Sequence, residues 1–342
     1  MSGLLLNKFR DHLETTCPDW LSRRFLVAFS GGLDSTALLH LLARVLPAEN
    51  LAAAHLNHSL RGQAAVADQL FAKKTAEGLG LTCFTAVRDV GALARTRRKG
   101  VEEAARRARY DFLLETARQW PADFIVTAHQ ADDQAETMLM NFVKGTGAGG
   151  LAGIHQTRSL TSGGLGPLLL RPLLPFMRTE LRDWLVSEGL NWVEDLSNQD
   201  QNYLRNTLRH EIMPRLRRLN PKLAPALSRA SAVLRAEEEF WRAHLDRLWP
   251  AVVLEESPEL VVMERYVLES LMLAEQRRLI YEGLMKIWRA RPEPSEPLTF
   301  AGVETVIDLL RLPSHAGLDL PGGLRAESTR ADLRLTPASR FL

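Results

Sequence analysis

The chain has 342 residues, of which 46% are hydrophobic and 25% are charged, and its formal net charge is +2. This length exceeds what one hydrophobic core usually serves, so we expect two globular domains. Its two cysteines, Cys17 and Cys83, show no CxxC spacing, which argues against a zinc knuckle, an iron–sulfur site and a disulfide scaffold, and fits the reducing cytoplasm. We find neither a signal-peptide pattern nor a run of about 20 apolar residues, so we expect no membrane partner.

Short apolar runs alternate with helical periodicity over the first 143 residues. The runs predict strands at residues 25–29, 51–56, 81–87 and 123–128, and the periodicity predicts helices at 35–45, 64–77, 101–120 and 133–143. This alternation predicts an α/β fold with a doubly wound parallel sheet. Because ligands bind at the carboxyl ends of such strands, we expect the loops after the first and fourth strands to be neighbours.

The first predicted strand runs into Ser30-Gly31-Gly32-Leu33-Asp34-Ser35, which opens the next helix. At such a Gly-rich turn the backbone N–H groups and the helix dipole face an anion, so the run predicts a phosphate cradle. It is not a Walker A loop, because Asp34 stands where that motif has a lysine. A carboxylate beside a phosphate requires a screening cation, which favours a nucleotide bound with Mg²⁺. The alternative is an ordinary strand–turn–helix junction.

The second predicted strand ends in His55, Asn57 and His58. A metal site is disfavoured because no third ligand or carboxylate is adjacent. A polar wall near the nucleotide is the favoured interpretation, and a solvated strand end is the alternative.

Basic residues gather before and on the helix at 101–120. Arg106 and Arg109 are three residues apart and share a helix face, where they could face phosphates, although a solvated helix with salt bridges is the alternative. Just upstream, a basic cluster suits a nucleic-acid backbone. It consists of Arg95, Arg97, Arg98 and Lys99.

The fourth predicted strand leads into His129-Gln130 and then into the acids Asp132, Asp133 and Glu136. Clustered carboxylates that face a phosphate loop can hold Mg²⁺ or an ammonium group, or act as a general base. The alternative is N-capping by Asp132 with a favourable helix-dipole interaction. The glycine-rich loop at 145–154 follows a helix rather than a strand, so a Rossmann dinucleotide site is disfavoured.

From Arg205 to Arg235 the charge is strongly basic, which is typical of a surface that binds nucleic acid, with a solvated basic helix as the alternative. Beyond it, helical patterns at 225–249 and 268–289 surround short apolar runs at 252–254 and 260–263. A proline-rich linker at 291–297 and a hairpin-like finish at 318–335 follow. We therefore predict a catalytic domain at 1–215 and a smaller, mainly helical substrate-binding domain at 216–342.

In this order, the segments resemble the tRNA(Ile)-lysidine synthetases, a family of PP-loop ATP pyrophosphatases with an adenine nucleotide alpha hydrolase-like fold. Residues 30–35 look like the SGGxDS loop of the family, and residues 55–61 look like its HxNHxLR segment. Residues 102–110, 132–137, 145–154, 171–174 and 195–209 are similar to later family blocks. Gln130 stands where many members have a second histidine, so a role for that histidine does not carry over.

The resemblance implies a ligase that uses ATP and Mg²⁺ to join free L-lysine to C2 of the wobble cytidine in the CAU anticodon of tRNA(Ile). ATP would adenylate the C2 oxygen and release pyrophosphate, and the lysine ε-amine would then expel AMP. A homodimer is compatible with this activity. The implied nucleotide-binding residues are Ser30, Gly31, Gly32, Leu33, Asp34, Ser35, His55, Asn57 and His129. The implied catalytic residues are Asp34, Asp133, Glu136, Arg106, Arg109 and Arg205, with Asp34 and Asp133 on the metal.

Three alternative functions are each disfavoured by a feature of the sequence. A PP-loop enzyme that thiolates tRNA would need clustered cysteines, which Cys17 and Cys83 do not provide. An amidating synthetase of the superfamily is disfavoured by the basic stretch after Arg205. A non-catalytic tRNA-binding protein is disfavoured by the intact loop and acids, and a pyrophosphate-release assay would discriminate it.

Overall fold

The computed structural model describes residues 2–59, 63–92, 100–161, 166–194, 203–291, 298–312 and 315–338. Backbone contacts divide the chain into two compact units, Met1–Arg235 and Ala236–Leu342. The domain boundary expected at 215/216 from the sequence pattern stays a prediction. Within the described residues, no helix combines the length and apolarity needed to cross a membrane.

The first unit contains a six-stranded sheet with helices between its strands. Its strands are β1 (Phe25–Ala28), β2 (Leu51–Asn57), β3 (Thr82–Val87), β4 (Phe124–Val126), β5 (Thr157–Ser159) and β6 (Leu168–Leu170). Its helices up to β6 are α1 (Ser2–Thr16), α2 (Leu33–Val45), α3 (Gln63–Gly78), α4 (Val101–Gln119), α5 (Ala131–Val143) and α6 (Ala148–Leu151). They are followed by α7 (Arg178–Ser187), α8 (Tyr203–Thr207), a π-helical turn (Leu208–Ile212), α9 (Met213–Leu219) and α10 (Leu223–Val252), within which the unit boundary falls.

The strand order is β3-β2-β1-β4-β6-β5, and every pair is parallel except the β5–β6 pair at the edge. The order reverses at β1, which pairs with β2 on one side and with β4 on the other. The expectation that the loops after β1 and β4 are neighbours is therefore confirmed. This switch point is where an open parallel sheet places its ligand site.

Both faces of the central strands β1, β2 and β4 are largely buried, which explains why these strands read as continuous apolar runs rather than as an alternation. Phe25 and Val27 pack with α1, α2 and α7 on one face, and Leu26 packs with Phe112 and Leu113 of α4 on the other. All three β1 residues have 0% exposure. The predicted doubly wound parallel sheet is confirmed.

Two strands of this sheet are not predicted from the sequence. β5 and β6 are three residues long, too short to show a period of two. β5 is also exposed along its length, so it carries no apolar signal. β6 matters for function, because it extends the ligand edge of the sheet beyond β4 and ends directly before Arg171.

The second unit is built on a five-stranded antiparallel sheet of order β7-β8-β11-β10-β9. Its strands are β7 (Val253–Glu256), β8 (Val261–Glu264), β9 (Ala316–Leu320), β10 (Leu324–Ser328) and β11 (Asp332–Pro337). Its further helices are α11 (Arg265–Ser270), α12 (Leu273–Ala290) and α13 (Phe300–Leu310). Leu279 and Ile280 of α12 and Val306 of α13 pack in one core with Leu324 and Leu333 of the sheet. The hairpin-like finish is thus part of a larger sheet, and most of the expected linker, residues 292–297, lies outside the described residues.

Candidate functional site

The loop between β1 and α2 is held open by its own side chains. Thr36 Oγ1 donates to the Gly31 carbonyl at 3.1 Å, and the Ser35 hydroxyl donates to the Gly32 carbonyl at 3.0 Å. The hydroxyls of Ser30 and Ser35 lie 3.0 Å apart. Leu33 is anchored in the core at 6% exposure. A loop fixed in this way, which leads into a helix N-terminus, is preorganised to bind an anion.

Gly31 is required by the conformation of this loop. Its φ of 86° lies in the left-handed region, and a Cβ there would approach the ring of Phe71 at 3.2 Å and a methyl of Val193 at 3.5 Å. The Val193 N–H also donates to the Gly31 carbonyl at 2.8 Å, so the segment after α7 packs directly on the loop.

Asp34 is a half-buried carboxylate, and only one of its two oxygens is paired among the described residues. Its Oδ2 accepts from Nη1 of Arg178 at 2.7 Å, whereas its Oδ1 is buried and has no hydrogen-bond partner among the described residues. Burial, together with the charges of Asp133 and Asp132, raises the pKa of Asp34 to about 6 against the opposing effect of Arg178. An orphaned carboxylate oxygen beside a phosphate loop fits a divalent cation.

The acids after β4 are positioned by the start of α5. Gln130, not Asp132, is the N-cap: its side chain accepts from the Asp132 N–H, and its own N–H donates to Asp133 Oδ2 at 3.1 Å. The alternative of capping by Asp132 is therefore wrong. Asp133 and Glu136 lie on the same side of the first turns of α5. Asp133 is near enough to Asp34 to raise its pKa, so these acids lie close to the loop.

Arginines from the segment 203–219 neutralise these acids. Arg209 forms a bidentate pair with Glu136, with both N–O distances at 2.8 Å, and its Nη2 lies 3.5 Å from Asp133 Oδ1. Arg205 lies 3.6 Å from Glu136 and 3.9 Å from Asp133, and Arg217 pairs with Asp132. Asp133 Oδ1 thus has only long contacts, while both oxygens of Glu136 are engaged. Burial raises the pKa of Asp133, and the hydrogen bond to Glu136 raises the pKa of Arg209.

Sequence reasoning named Arg205 but missed Arg178, Arg209 and Arg217. The spacing of four between Arg205 and Arg209 was a signal, because two arginines at that spacing share a helix face. Nothing local indicates that this face meets α5. Within the described residues, no group of three or more His, Cys, Asp or Glu residues is arranged to hold a metal ion.

A second group of charges surrounds His129. Its Nδ1 is 3.0 Å from the Thr127 hydroxyl. Burial, followed by the charges of Arg171, Arg106, Arg205 and Arg109, lowers the pKa of His129 to about 3, so its imidazole is neutral at physiological pH.

The predicted arginines of α4 are part of that group. The guanidinium of Arg106 lies 5.3 Å from the centroid of the Tyr110 ring. Desolvation by the surrounding protein lowers the pKa of Arg109, although its side chain keeps access to solvent.

His55 and Asn57 hold the chain near the loop. His55 Nδ1 is 3.0 Å from the Phe29 carbonyl at the base of the loop, and burial lowers the pKa of this histidine. Asn57 donates to the Ala65 carbonyl at 3.1 Å and accepts from the Ser59 N–H at 2.9 Å. Asn57 therefore shapes the turn after β2.

Several sequence predictions fall outside the described residues. These are the basic residues Arg61, Arg95, Arg97, Arg98 and Lys99, and the segment 195–202.

Comparison with known proteins identifies a family model and several relatives that match this chain. A family model described as a PP-loop domain matches residues 5–216. A curated tRNA(Ile)-lysidine synthase of Geobacter sulfurreducens is 41% identical over 63% of this chain and 45% of its own length. Those of Solibacter usitatus and Chlorobaculum tepidum are 33% and 38% identical, over 91% and 66% of this chain and 67% of their own lengths.

A solved structure shares the fold. The U34-tRNA thiolase from Methanococcus maripaludis aligns with a TM-score of 0.55 and 18% identity, over 69% of this chain and 80% of its own. At that identity the likeness concerns the fold alone. The chain spans about half to two thirds of the length of these three curated relatives. The matched PP-loop domain and these identities show that the chain belongs to the tRNA(Ile)-lysidine synthase family of PP-loop proteins.

Proposed function

We propose that the chain is a ligase that joins free L-lysine to C2 of the wobble cytidine in the CAU anticodon of tRNA(Ile), with cleavage of ATP to AMP and pyrophosphate. The observation that carries the proposal is the juxtaposition of a phosphate loop with buried carboxylates across the β1–β4 switch point. A loop for pyrophosphate and acids for an ammonium group are what the two half-reactions require. Membership in the family supports the use of ATP.

In the first half-reaction, the C2 oxygen of cytidine attacks the α-phosphorus of ATP, and the bond to pyrophosphate breaks. The N–H groups of residues 30–35 bind the departing pyrophosphate, and His55 fixes the base of the loop. Asp34 and Asp133 would hold Mg²⁺, which neutralises phosphate charge when bound. The orphaned Oδ1 of Asp34 supports this role. Arg106, Arg109 and Arg205 stabilise negative charge on phosphate, and His129 lines the nucleotide as a neutral group.

In the second half-reaction, the ε-amine attacks C2, the C2–O bond breaks, and AMP leaves with that oxygen. The ammonium group of lysine must first lose a proton, so it needs a carboxylate that can both bind it and accept the proton. Asp133 suits this task because its Oδ1 has only long contacts, at 3.5 and 3.9 Å. Glu136, already paired with Arg209, contributes negative charge at the same place.

The tRNA is the partner that fits the basic segment beginning at Arg205, and the cytoplasm is the compartment that supplies tRNA, ATP and lysine together. A homodimer stays a prediction. Thiolation is disfavoured because Cys17 and Cys83 are both free and lie on different elements.

The test is the incorporation of labelled lysine into a tRNA(Ile) transcript bearing CAU, with ATP and Mg²⁺. We expect label in the RNA, and a loss of at least a hundredfold in rate for Asp133→Asn. The matched control is Asp183→Asn on α7, whose carboxylate is 71% exposed and pairs with its neighbour Arg182. Equal labelling of a transcript with U at the wobble position, or of Asp133→Asn, would refute the proposal.

A further inference from the structure

Arg171 is a buried cation for which the described residues offer no carboxylate. It directly follows β6, at the carboxyl edge of the sheet, and it is 4% exposed. Its Nη1 donates to the His155 carbonyl, and the Tyr110 side chain is near enough to oppose the lowering of its pKa by burial. Its Nε is buried and has no hydrogen-bond partner in the described part of the chain. Burying an unpaired guanidinium opposes folding strongly, so an anionic counter-ion is expected from outside these residues.

The neighbours of Arg171 add positive charge instead of compensating it. Burial, followed by the charges of Arg158 and Arg106, lowers its pKa against the opposing effect of Tyr110, and Arg106 and Arg109 act together with Arg171 on His129. Among the side chains that the structure describes, no carboxylate lies within ion-pair distance of Arg106, Arg109 or Arg171. By contrast, Arg178, Arg205, Arg209 and Arg217 each pair with an acid. The group around Arg171 therefore lacks the acidic partners that the arginines near the phosphate loop have.

Arg171 and the phosphate loop follow different strands of the sheet. β6 pairs with β4, and β4 pairs with β1, so Arg171 starts two strands away from the loop after β1. Neighbouring strands lie about 4.8 Å apart, which makes the separation of the two backbone positions about 10 Å. A group bound at Arg171 would thus be held from a different strand end than the pyrophosphate that the loop would hold.

We propose that Arg171 is the buried cation of a second phosphate-binding site, with Arg106 and Arg109 at its rim and Tyr110 as the positioning residue that connects them. The Tyr110 ring lies against the guanidinium of Arg106, and Tyr110 also acts electrostatically on Arg171, so this one side chain lies between the buried cation and the rim. The ligand is a phosphate group, supplied either by the nucleotide or by the RNA backbone. The inference deepens the proposed function, on which it rests for these two substrates, but phosphate binding at this site needs neither lysine nor turnover.

The experiment measures binding, not activity. Dissociation constants are determined for a non-hydrolysable ATP analogue with Mg²⁺ and for an anticodon stem–loop RNA, using the full chain and the variants Arg171→Met, Arg171→Lys and Tyr110→Phe. Loss of one charged hydrogen-bonding group should weaken binding of one ligand about 10- to 100-fold in Arg171→Met. Arg171→Lys should retain most of the affinity, and Tyr110→Phe, which keeps the ring, should lose a smaller part.

The two sources of phosphate are separated by which ligand is affected. If RNA supplies the group, the salt dependence of RNA binding should also fall by about one unit of slope in Arg171→Met. If the nucleotide supplies it, only the ATP analogue is weakened.

Thermal unfolding tells this role from a structural one. Because Arg171→Met removes an unpaired buried charge, its Tm should be unchanged or higher. Unchanged affinity for both ligands in Arg171→Met would overturn the proposal. So would a lowered Tm with equal losses in Arg171→Lys and Arg171→Met and none in Tyr110→Phe, since Arg171 would then serve packing alone.

Discussion

Replacing Asp34 with Asn should stabilise the protein while it removes activity. The Asp34 side chain is 20% exposed, and burial raises its pKa from 3.8 to about 6. A difference of about two pKa units between the unfolded and folded states corresponds to about 3 kcal/mol. The folded state therefore binds the proton more tightly, and ionised Asp34 lowers the free energy of unfolding by about that amount at every pH above about 6. The lost pair with Arg178 subtracts little, because the Arg178 side chain is 55% exposed.

The pH dependence makes this prediction specific. Urea unfolding of wild type and Asp34→Asn, with hydrogen exchange of β1 and α2 to follow this part of the chain, should show the variant more stable by about 3 kcal/mol at pH 8. The difference should shrink through pH 6 and approach zero near pH 4, where folded Asp34 is already neutral. Mg²⁺ with an ATP analogue should stabilise wild type more than the variant. A variant less stable than wild type at pH 8, or a difference that does not change with pH, would show that burial of ionised Asp34 does not lower the free energy of unfolding.

Three further predictions concern the loop and the charges around it. Gly31→Ala should lower the free energy of unfolding by about 1–2 kcal/mol and weaken ATP binding; Gly80→Ala, with a φ of 70° but open space around its Cβ, should show the backbone cost without the binding defect. Arg209→Met should destabilise by about 3 kcal/mol, since it strands the buried Glu136, and a double-mutant cycle with Glu136→Gln should recover part of that loss; additive effects would mean the pair is uncoupled. Wild type should lose stability as the pH falls from 6.5 to 3, because in that window the imidazole binds a proton only in the unfolded state, and His129→Gln should lose less. Identical pH profiles of the free energy of unfolding would contradict this.

The parallel sheet and its switch point could be predicted because β1 to β4 leave apolar runs bounded by turns. The loop at residues 30–35 could be predicted because a tight strand–helix turn demands glycine where φ is positive, as at Gly31. The proximity of Asp34 and Asp133 followed from the strand order, since parallel strands end at one edge.

The partners of the acids could not be predicted in the same way. Arg178, Arg209 and Arg217 reach Asp34, Glu136 and Asp132 across separations of 144, 73 and 85 residues, and no local pattern encodes contacts of that range. Each sequence segment alone is equally compatible with a solvated basic helix.

Arg171 shows a different limit of sequence reasoning. Its burial depends on β6, a strand of three residues that no periodicity reveals. Only with that strand beside β4 does the arginine lie at the ligand edge.

The central claim is that the cytidine is first adenylated and that lysine then displaces AMP from it. This claim is tested most directly in a reaction without lysine. With α-labelled ATP, Mg²⁺ and a tRNA(Ile) transcript bearing CAU, the account predicts label attached to the RNA and one pyrophosphate released for each. Addition of unlabelled lysine should then discharge the label as AMP in equal amount to the lysine incorporated. Release of ADP and phosphate, or lysine incorporation without any labelled RNA intermediate, would contradict the account.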